Sequence, residues 1–395
     1  MSADPIVIAS YARTPMGGLL GDFASVKSTD LGAAAVKAAV ERAGLSSDQV
    51  DRIYMGCVLA AGLGQAPARQ AALAAGLARS TQATTVNKMC GSGMQAIIMG
   101  CESLAAGAAD VVVAGGMESM TNAPYLLPKH RSGARAGHDT IKDSMFLDGL
   151  EDAYEQGTAM GIFAENSVRK FGFTREEQDA YAIESLKRAN NAIASGAFDS
   201  EIVPVEVSTR KGTVTVSIDE QPGKAKPEKI PSLKPAFVKD GTVTPANSSS
   251  ISDGAAAVVI TRASVAEKLG MTVVAKVVAS DCHAHEPGDF PSAPVPAMEK
   301  VMKTAGWSVA DVDLFEVNEA FAVVAMIAMR ELNIPHDKIN VNGGACALGH
   351  PIGASGARII ATLLGALQNR GLRRGVAGIC LGGGEATAMA IELVN

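Results

Sequence analysis

One segment of the sequence occurs twice, and this repeat constrains the fold more than any other feature. Residues 43–51 read Ala-Gly-Leu-Ser-Ser-Asp-Gln-Val-Asp, and residues 305–313 read Ala-Gly-Trp-Ser-Val-Ala-Asp-Val-Asp, shifted by 262 positions from 43 to 305. The same shift carries Gly91 onto Gly353, and residues 113–116 match residues 380–383 at a shift of 267. The repeat predicts two similar halves related by a pseudo-two-fold axis.

Within each half, short β-rich runs alternate with alanine-rich helical stretches. In the first half we predict strands over residues 6–9, 52–56 and 110–114, and helices over 31–43 and 67–75. Such alternation is typical of a parallel sheet with helices on both faces, an α/β fold. The composition, 47% hydrophobic and 19% charged, suits large buried sheets.

The middle of the chain departs from this pattern. We predict helices over residues 159–171 and 175–195, the second capped by Thr174 with Glu177 at capping-box spacing. Two alternating strands follow, over 202–207 and 213–218. We therefore divide the chain into an N-terminal half, 1–120, completed by about 248–270, a loop or lid domain, 121–247, and a C-terminal half, 271–395.

Composition excludes several classes of protein. A formal net charge of -6 disfavours nucleic-acid binding. No stretch reaches the roughly 18 apolar residues that a membrane helix needs, and the start at Met1 carries neither a basic segment nor a long apolar one. Six cysteines without a C-x-x-C pair indicate reduced thiols. The sequence predicts a cytoplasmic protein without nucleic-acid or membrane partners.

Cys90 stands in a Gly-flanked bend at the start of a predicted helix that ends near Gly107. A thiol there faces unpaired backbone N–H groups and the positive end of the helix dipole, which favours its thiolate form. A small buried structural cysteine is an equally good interpretation of this residue alone.

The second half supplies three further polar elements. His350 lies in a Gly-rich bend just before a helix, and the pseudo-two-fold axis would bring this helix start and that of Cys90 to one crevice. There His350 would serve as a base toward a thiol or simply cap the helix. Cys380 is followed by Gly382-Gly383-Gly384, whose N–H groups suit either an oxyanion hole or a flexible turn. Asn318 follows a strand and would face the crevice or act as an N-cap.

A dinucleotide-binding site is the rival interpretation of the Gly-rich bend, because residues 91–96 fit the pattern G-x-G-x-x-A. That fingerprint requires an acidic residue at the end of the following strand, whereas Asp110 precedes its strand. No Gly-rich turn follows the first strand either. A nicotinamide dehydrogenase is therefore disfavoured.

Four motifs in this order resemble those of the thiolases, and among them the acetyl-CoA acetyltransferases, over essentially the whole chain. They are residues 87–93 (Asn-Lys-Met-Cys-Gly-Ser-Gly), 318–321 (Asn-Glu-Ala-Phe), 349–353 (Gly-His-Pro-Ile-Gly) and 380–384 (Cys-Leu-Gly-Gly-Gly). The resemblance implies a five-layered α-β-α-β-α fold of two duplicated halves with an inserted loop domain, assembled as a homotetramer. It also implies acetyl transfer between acetyl-CoA molecules, giving acetoacetyl-CoA and CoA.

The resemblance further implies a role for each site residue. Cys90 would be the acylated nucleophile, His350 its base, and Cys380 the acid/base at the α-carbon. Asn318 would hold a water that forms one oxyanion hole with His350, and the N–H groups of Cys90 and Gly382 would form the other. No metal and no permanently bound cofactor would be needed.

For coenzyme A, the family pattern places six residues along a pantetheine tunnel. They are Met160, Ala236, Phe237, Ser249, Ala320 and Phe321, with Ser249 as a hydrogen-bond partner. Ordinary core packing is an open alternative for Phe237 and Phe321. Two other functions also stay open: a 3-ketoacyl-CoA thiolase for longer or branched chains, and an inactive thiolase-like protein that binds CoA or lipid. A ketoacyl synthase is disfavoured, because that family is expected to carry histidine at the position of Cys380.

Overall fold

The structure is a computed structural model that describes residues 4–394. The first three residues lie outside this range, and part of the expectation about the start of the chain rests on them. Position 395, which belongs to the predicted C-terminal half, also lies outside it. No helix in the described range is long and apolar enough to cross a bilayer.

The first half contains β1 (Ile6–Arg13), β2 (Gly17–Gly18), α1 (Ser28–Arg42), β3 (Arg52–Gly56), α2 (Pro67–Ala74), β4 (Gln82–Val86), α3 (Ser92–Ala105) and β5 (Val111–Ser119). A 3₁₀ turn covers Ser47–Gln49. The helix predicted after Cys90 is confirmed as α3, and its Met94, Ile97 and Leu104 side chains are buried.

The middle of the chain contains β6 (Tyr125–Leu126), β7 (Lys142–Asp143), α4 (Met160–Phe171), α5 (Arg175–Ser195), β8 (Val205–Thr209), β9 (Gly212–Val216) and α6 (Glu220–Lys224). Shorter turns cover His130–Ser132, Phe146–Leu150 and Pro227–Ser232, the second of them π-helical. The predicted capping box is confirmed, since Thr174 Oγ1 accepts from the N–H of Glu177 and the Glu177 carboxylate accepts from the N–H of Thr174.

The remaining elements are β10 (Ser252–Arg262), α7 (Ala263–Leu269), β11 (Ala275–Ala284), α8 (Pro294–Ala305), β12 (Leu314–Val317), α9 (Ala322–Leu332), α10 (Ala345–Leu348), α11 (Ile352–Arg370), β13 (Arg374–Leu381) and β14 (Glu385–Leu393). Further 3₁₀ turns cover Pro287–Ser292, Val309–Asp311 and His336–Lys338.

The strand order reveals the duplication. The first half has the strand order β4-β3-β5-β10-β1, and the second has the order β12-β13-β14-β11. In the second half a parallel bridge between Phe315 of β12 and Ile339 corresponds to the pairing of β3 with β4 in the first half. Gly44 and Gly306 close α1 and α8 with φ values of 69° and 70°. The sheet of the first half and the sheet of the second half are hydrogen-bonded to each other along one short edge, where two residues of β1 pair with two of β11.

The sheets are mixed, so the prediction of a parallel sheet is wrong for several strand pairs. Among the strands within residues 4–394, β3 runs parallel to β4 and β5, and β12 runs parallel to β13, while the other paired strands run antiparallel. In the second half the turn at residues 382–384 is too short for a crossover and forces β14 to run antiparallel to β13. In the first half β10 returns antiparallel to β5 after the whole middle segment.

In the described residues three large apolar cores lie between the five layers of the predicted α-β-α-β-α fold, and the central core extends over both sides of the middle helix layer. Helices α1 and α2 cover the outer face of the first sheet, and α8 and α9 cover that of the second. Helices α3 and α11 lie between the sheets and share the central core. The division into residues 1–120, 121–247 and 271–395 stays our proposal.

Helices α3 and α11 pack at backbone distance. A Cβ atom on Gly93 would lie 2.8 Å from the backbone nitrogen of Ala357, and one on Gly356 would overlap the backbone nitrogen of Met94. A Cβ atom on Gly56 would lie 2.6 Å from the carbonyl oxygen of Gly353. This close approach brings the N-terminal ends of both helices to one crevice.

We expect Gly356→Ala to destabilise the protein by about 1–3 kcal/mol, because its methyl group has no space against α3. Gly365→Ala in the same helix is the matched control, since its Cβ would find its nearest neighbours at 3.4–3.6 Å. That control should be neutral or stabilising by up to about 1 kcal/mol. Thermal unfolding at equal protein concentration measures both, and equal stability of the two variants would contradict the backbone contact.

Candidate active site

Cys90 lies in a strained bend between β4 and α3. Met89 has a positive φ of 45°, which is uncommon for a residue with a side chain. The bend is held by Ser92, whose Oγ accepts from the N–H of Lys88 at 2.8 Å and donates to the carbonyl of Met89 at 2.6 Å. A Cβ atom on Gly91 would lie 2.5 Å from the side chain of Leu381, so the bend packs closely on the second half.

His350 is buried in the bend between α10 and α11, and its orientation is defined on both sides of the ring. Ser355 Oγ donates to the carbonyl of Pro351 at 3.0 Å, so it accepts from Nδ1 of His350 at 2.6 Å. The opposite nitrogen, Nε2, lies 3.5 Å from Nδ2 of Asn318. This arrangement assigns the proton to Nδ1 and leaves Nε2 as an acceptor, the form that a general base requires.

Burial, assisted by the positive charge of Arg358, lowers the pKa of His350 to about 3. The imidazole is therefore neutral at physiological pH and able to accept a proton.

Cys380 is fully buried in β13, two residues before the turn that starts at Gly382. Gly383 and Gly384 have positive φ values of 94° and 82°, and a Cβ atom on Gly384 would lie 2.5 Å from the carbonyl oxygen of His285. Burial, with the neighbouring Cys90 thiol as a second cause, raises the pKa of the Cys380 thiol well above its usual value.

The expectation that the helix start favours the thiolate of Cys90 is wrong for the free protein. Burial raises the pKa of this thiol to about 12. The backbone N–H groups of Gly382 and Cys90 point at the sulfur and lower its pKa, but by less than burial raises it. A thiolate therefore has to be produced by transfer of the proton to a nearby base.

One cavity of about 360 Å³ unites the predicted residues. Cys90, His350, Cys380 and Gly382 line it, and so do the six residues predicted to contact coenzyme A: Met160, Ala236, Phe237, Ser249, Ala320 and Phe321. Asn318 is buried behind His350. The structure thus brings all eleven predicted site residues together, and their roles stay predictions.

Sequence reasoning missed several residues of the site. Phe146 and Leu150 line the cavity from a π-helical turn in an aperiodic segment, which offers no pattern to identify them. Ser355, which orients His350, lies five residues after it inside a helix. Its closeness in the sequence to a candidate base was the one signal that could have identified it.

Glu118 was also missed. It is buried at the end of β5 and accepts from the N–H groups of Val58, Leu59 and Gly353 at 3.0, 3.2 and 2.9 Å. It therefore ties the first turn of α11, in the second half, to the loop after β3 in the first half. Burial raises the pKa of this carboxyl to about 7, although the three N–H groups oppose the shift.

Comparison with known proteins identifies the class that this fold and site define. Residues 6–264 match the thiolase N-terminal domain, and residues 271–393 match the thiolase C-terminal domain. The chain belongs to the thiolase family, which confirms the resemblance seen in its four motifs.

Among its relatives are acetyl-CoA acetyltransferases of nearly equal length. The enzyme of that name from Escherichia coli K12 is 49% identical over 391 residues, covering 98% of this chain and 99% of the relative. A probable acetyl-CoA acetyltransferase from Dictyostelium discoideum is 47% identical over 390 residues, covering 98% and 94%. The crystal structure of the Bacillus anthracis acetyl-CoA acetyltransferase superposes with a TM-score of 0.96 at 39% identity, covering 99% of both chains.

The raised pKa of Cys90 predicts how the free protein reacts with iodoacetamide. Because only the thiolate reacts, the alkylation rate constant of Cys90 should rise about tenfold per pH unit between about pH 7 and 10, without a plateau. Peptide mass spectrometry follows Cys90 separately from Cys282 and Cys346, which are also partly exposed. A plateau reached below about pH 8 would instead reveal a preformed thiolate–imidazolium pair.

Proposed function

We propose that the protein is an acetyl-CoA C-acetyltransferase that interconverts two acetyl-CoA with acetoacetyl-CoA and CoA through an S-acetyl-Cys90 intermediate. The observation that carries the proposal is the meeting of two thiols and one neutral imidazole, from the two halves of the chain, at a single cavity. The full-length similarity to proteins named acetyl-CoA acetyltransferase supports it.

The first step is acylation of Cys90. His350 Nε2 takes the thiol proton, and the sulfur attacks the carbonyl carbon of acetyl-CoA. The carbonyl oxygen becomes negatively charged where the N–H groups of Cys90 and Gly382 converge, and these donors stabilise it. The C–S bond to coenzyme A then breaks, and the leaving sulfur takes its proton from Cys380.

Acylation of Cys90 also prepares Cys380. In the free protein Cys90 contributes to the raised pKa of Cys380, and this contribution disappears once the sulfur of Cys90 is in a thioester. Burial remains, so the Cys380 thiolate is a strong base, as removal of a weakly acidic α-proton requires.

The second step joins the two acetyl groups. The Cys380 thiolate removes the α-proton of a second acetyl-CoA, and the enolate carbon attacks the acetyl carbonyl on Cys90. When the C–S bond breaks, the Cys90 sulfur recovers its proton from His350, so both thiols are regenerated. Asn318, through a held water and together with His350, would stabilise the enolate oxygen, as the family resemblance implies.

The cavity lining supports coenzyme A thioesters as substrates. Its walls are mostly apolar, and Phe237 and Phe321 meet edge to face at 6.0 Å between ring centroids. Such walls suit the pantetheine arm, while Ser249 offers a hydroxyl to its amides. We propose no metal and no permanently bound cofactor for this reaction.

We further propose a cytoplasmic homotetramer. All six cysteines lie within the described residues and are free, in keeping with a reducing compartment. The segment around β6 and β7 exposes Tyr125, Leu127 and Ile141 by 68, 49 and 64%, which suits a subunit contact. Analytical ultracentrifugation gives the subunit number.

Two cysteine variants test the division of roles. Cys90→Ser should abolish acetylation of the protein by acetyl-CoA, measured by intact-protein mass spectrometry. Cys380→Ser should still be acetylated but should lose condensation by at least about a hundredfold. Cys101→Ser, in the helix α3 that follows Cys90 but outside the cavity lining, is the control and should keep both activities. A Cys380 variant that condenses at the normal rate would disprove the assignment.

Substrate length tests the proposal against a long-chain thiolase. Initial rates of thiolysis should be highest for acetoacetyl-CoA and should fall for longer 3-ketoacyl-CoA esters. The reason is that the rings of Phe290 and Phe321 lie next to each other in the cavity wall, with their centroids 6.4 Å apart. A rate that rises with chain length would make the protein a 3-ketoacyl-CoA thiolase. Failure of every ester, with no acetylation of Cys90, would indicate an inactive CoA- or lipid-binding relative. The 2-methylacetoacetyl ester measures tolerance of branching.

A further inference from the structure

A buried ion pair lies behind the active site, and no step above uses it. Arg358 in α11 and Glu316 in β12 have side-chain exposures of 0 and 2%, and Nη1 of the arginine lies 3.6 Å from Oε2 of the glutamate. A second nitrogen of the same guanidinium, Nη2, lies 3.3 Å from Oδ1 of Asn318. The pair is thus connected to His350 through a single side chain.

This pair is poorly arranged for stabilising the fold. Within residues 4–394, neither carboxylate oxygen of Glu316 has a hydrogen-bond partner, and neither Nε nor Nη1 of Arg358 has one. Removing two charges from water is unfavourable, and apolar residues often replace buried pairs without loss of stability. The hydrogen bond to Asn318 is the contact of Arg358 that bears on the site.

The chemistry of the guanidinium decides which way the Asn318 amide points. Arginine only donates hydrogen bonds, so the oxygen of the amide must face it and the NH₂ group must face away. The NH₂ group then lies 3.5 Å from the lone pair of His350 Nε2. A flipped amide would place two donors against each other at Arg358 and two acceptors against each other at His350.

We propose that Arg358 is a positioning residue for acetyl transfer: its guanidinium fixes the side-chain amide of Asn318 with Nδ2 toward His350. The inference rests on the proposed function. Arg358 touches neither substrate nor the reacting atoms, and it acts through Asn318.

The test removes the pair as a unit. Arg358→Met alone would leave Glu316 as an unpaired buried carboxylate and is expected to fold poorly. The variant carrying both Arg358→Met and Glu316→Gln is uncharged and similar in volume. It is compared with Asn318→Ala and with the protein that carries all three substitutions.

Thiolysis of acetoacetyl-CoA gives kcat and KM for each protein. The paired variant should lose at least about tenfold in kcat with KM changed less than about twofold, because Asn318 is assigned to the transition state and not to ground-state binding. In the Asn318→Ala background the paired substitution should cause no further fall in kcat, since its effect passes through that amide.

Arg262→Gln is the matched control. Arg262 is a partly buried arginine that donates to the carbonyls of Leu104 and Ala109 at the far end of α3. This variant should lower the melting temperature and leave kcat unchanged, which separates loss of stability from loss of positioning.

Three results would overturn the proposal: a paired variant with the kcat of the wild type, a loss confined to KM, or a loss that multiplies with that of Asn318→Ala. Each result is distinct from failure of the proposed function, in which the wild-type protein itself would not cleave acetoacetyl-CoA.

Discussion

The contact on which this structure depends is the approach of α3 to α11 at backbone distance. Glycines at positions 93 and 356 remove the side chains that would hold the two helices apart. Each helix carries one member of the reacting pair at its start, Cys90 before α3 and His350 before α11. Because the helices come from different halves of the chain, the duplicated fold is the means by which a thiol and an imidazole are placed in one crevice.

A second constraint is the burial of the reacting groups in that crevice. Burial holds both thiols protonated and the imidazole neutral, so the resting site contains no charge on its reacting groups. The N–H groups that converge on Cys90 are fixed before any charge develops, and they become most effective when an oxyanion forms in a medium of low polarity. A site of this kind is inactive toward stray electrophiles at rest and becomes nucleophilic only when a proton moves to His350.

Much of the site could be predicted because its residues lie at the ends of regular elements. Cys90, Asn318, His350 and Cys380 each stand next to a strand end or a helix start, where glycine and proline mark the boundaries in the sequence. The helix over Arg175–Ser195 was equally clear, since its capping box and its C-terminal glycine are local signals.

What could not be predicted depends on distant contacts. The antiparallel return of β10 beside β5 depends on a strand that follows a long insertion, and no local pattern reports it. The pKa of Cys90 depends on burial by both halves, which outweighs the helix start that the sequence shows. Arg358 resembles any polar residue in a helix until the fold places Asn318 beside it.

The position of β1 has a consequence for how this thiolase is made. Its residues hydrogen-bond with β10 on one edge and with β11 on the other, so that Ile6 pairs with Arg262 and Val7 with Lys276. During synthesis β1 leaves the ribosome well before β10 and β11, so its backbone groups cannot pair within the sheet until both later strands have followed. Chaperones that shield nascent chains should therefore matter more to its yield than the stability of the finished sheet suggests.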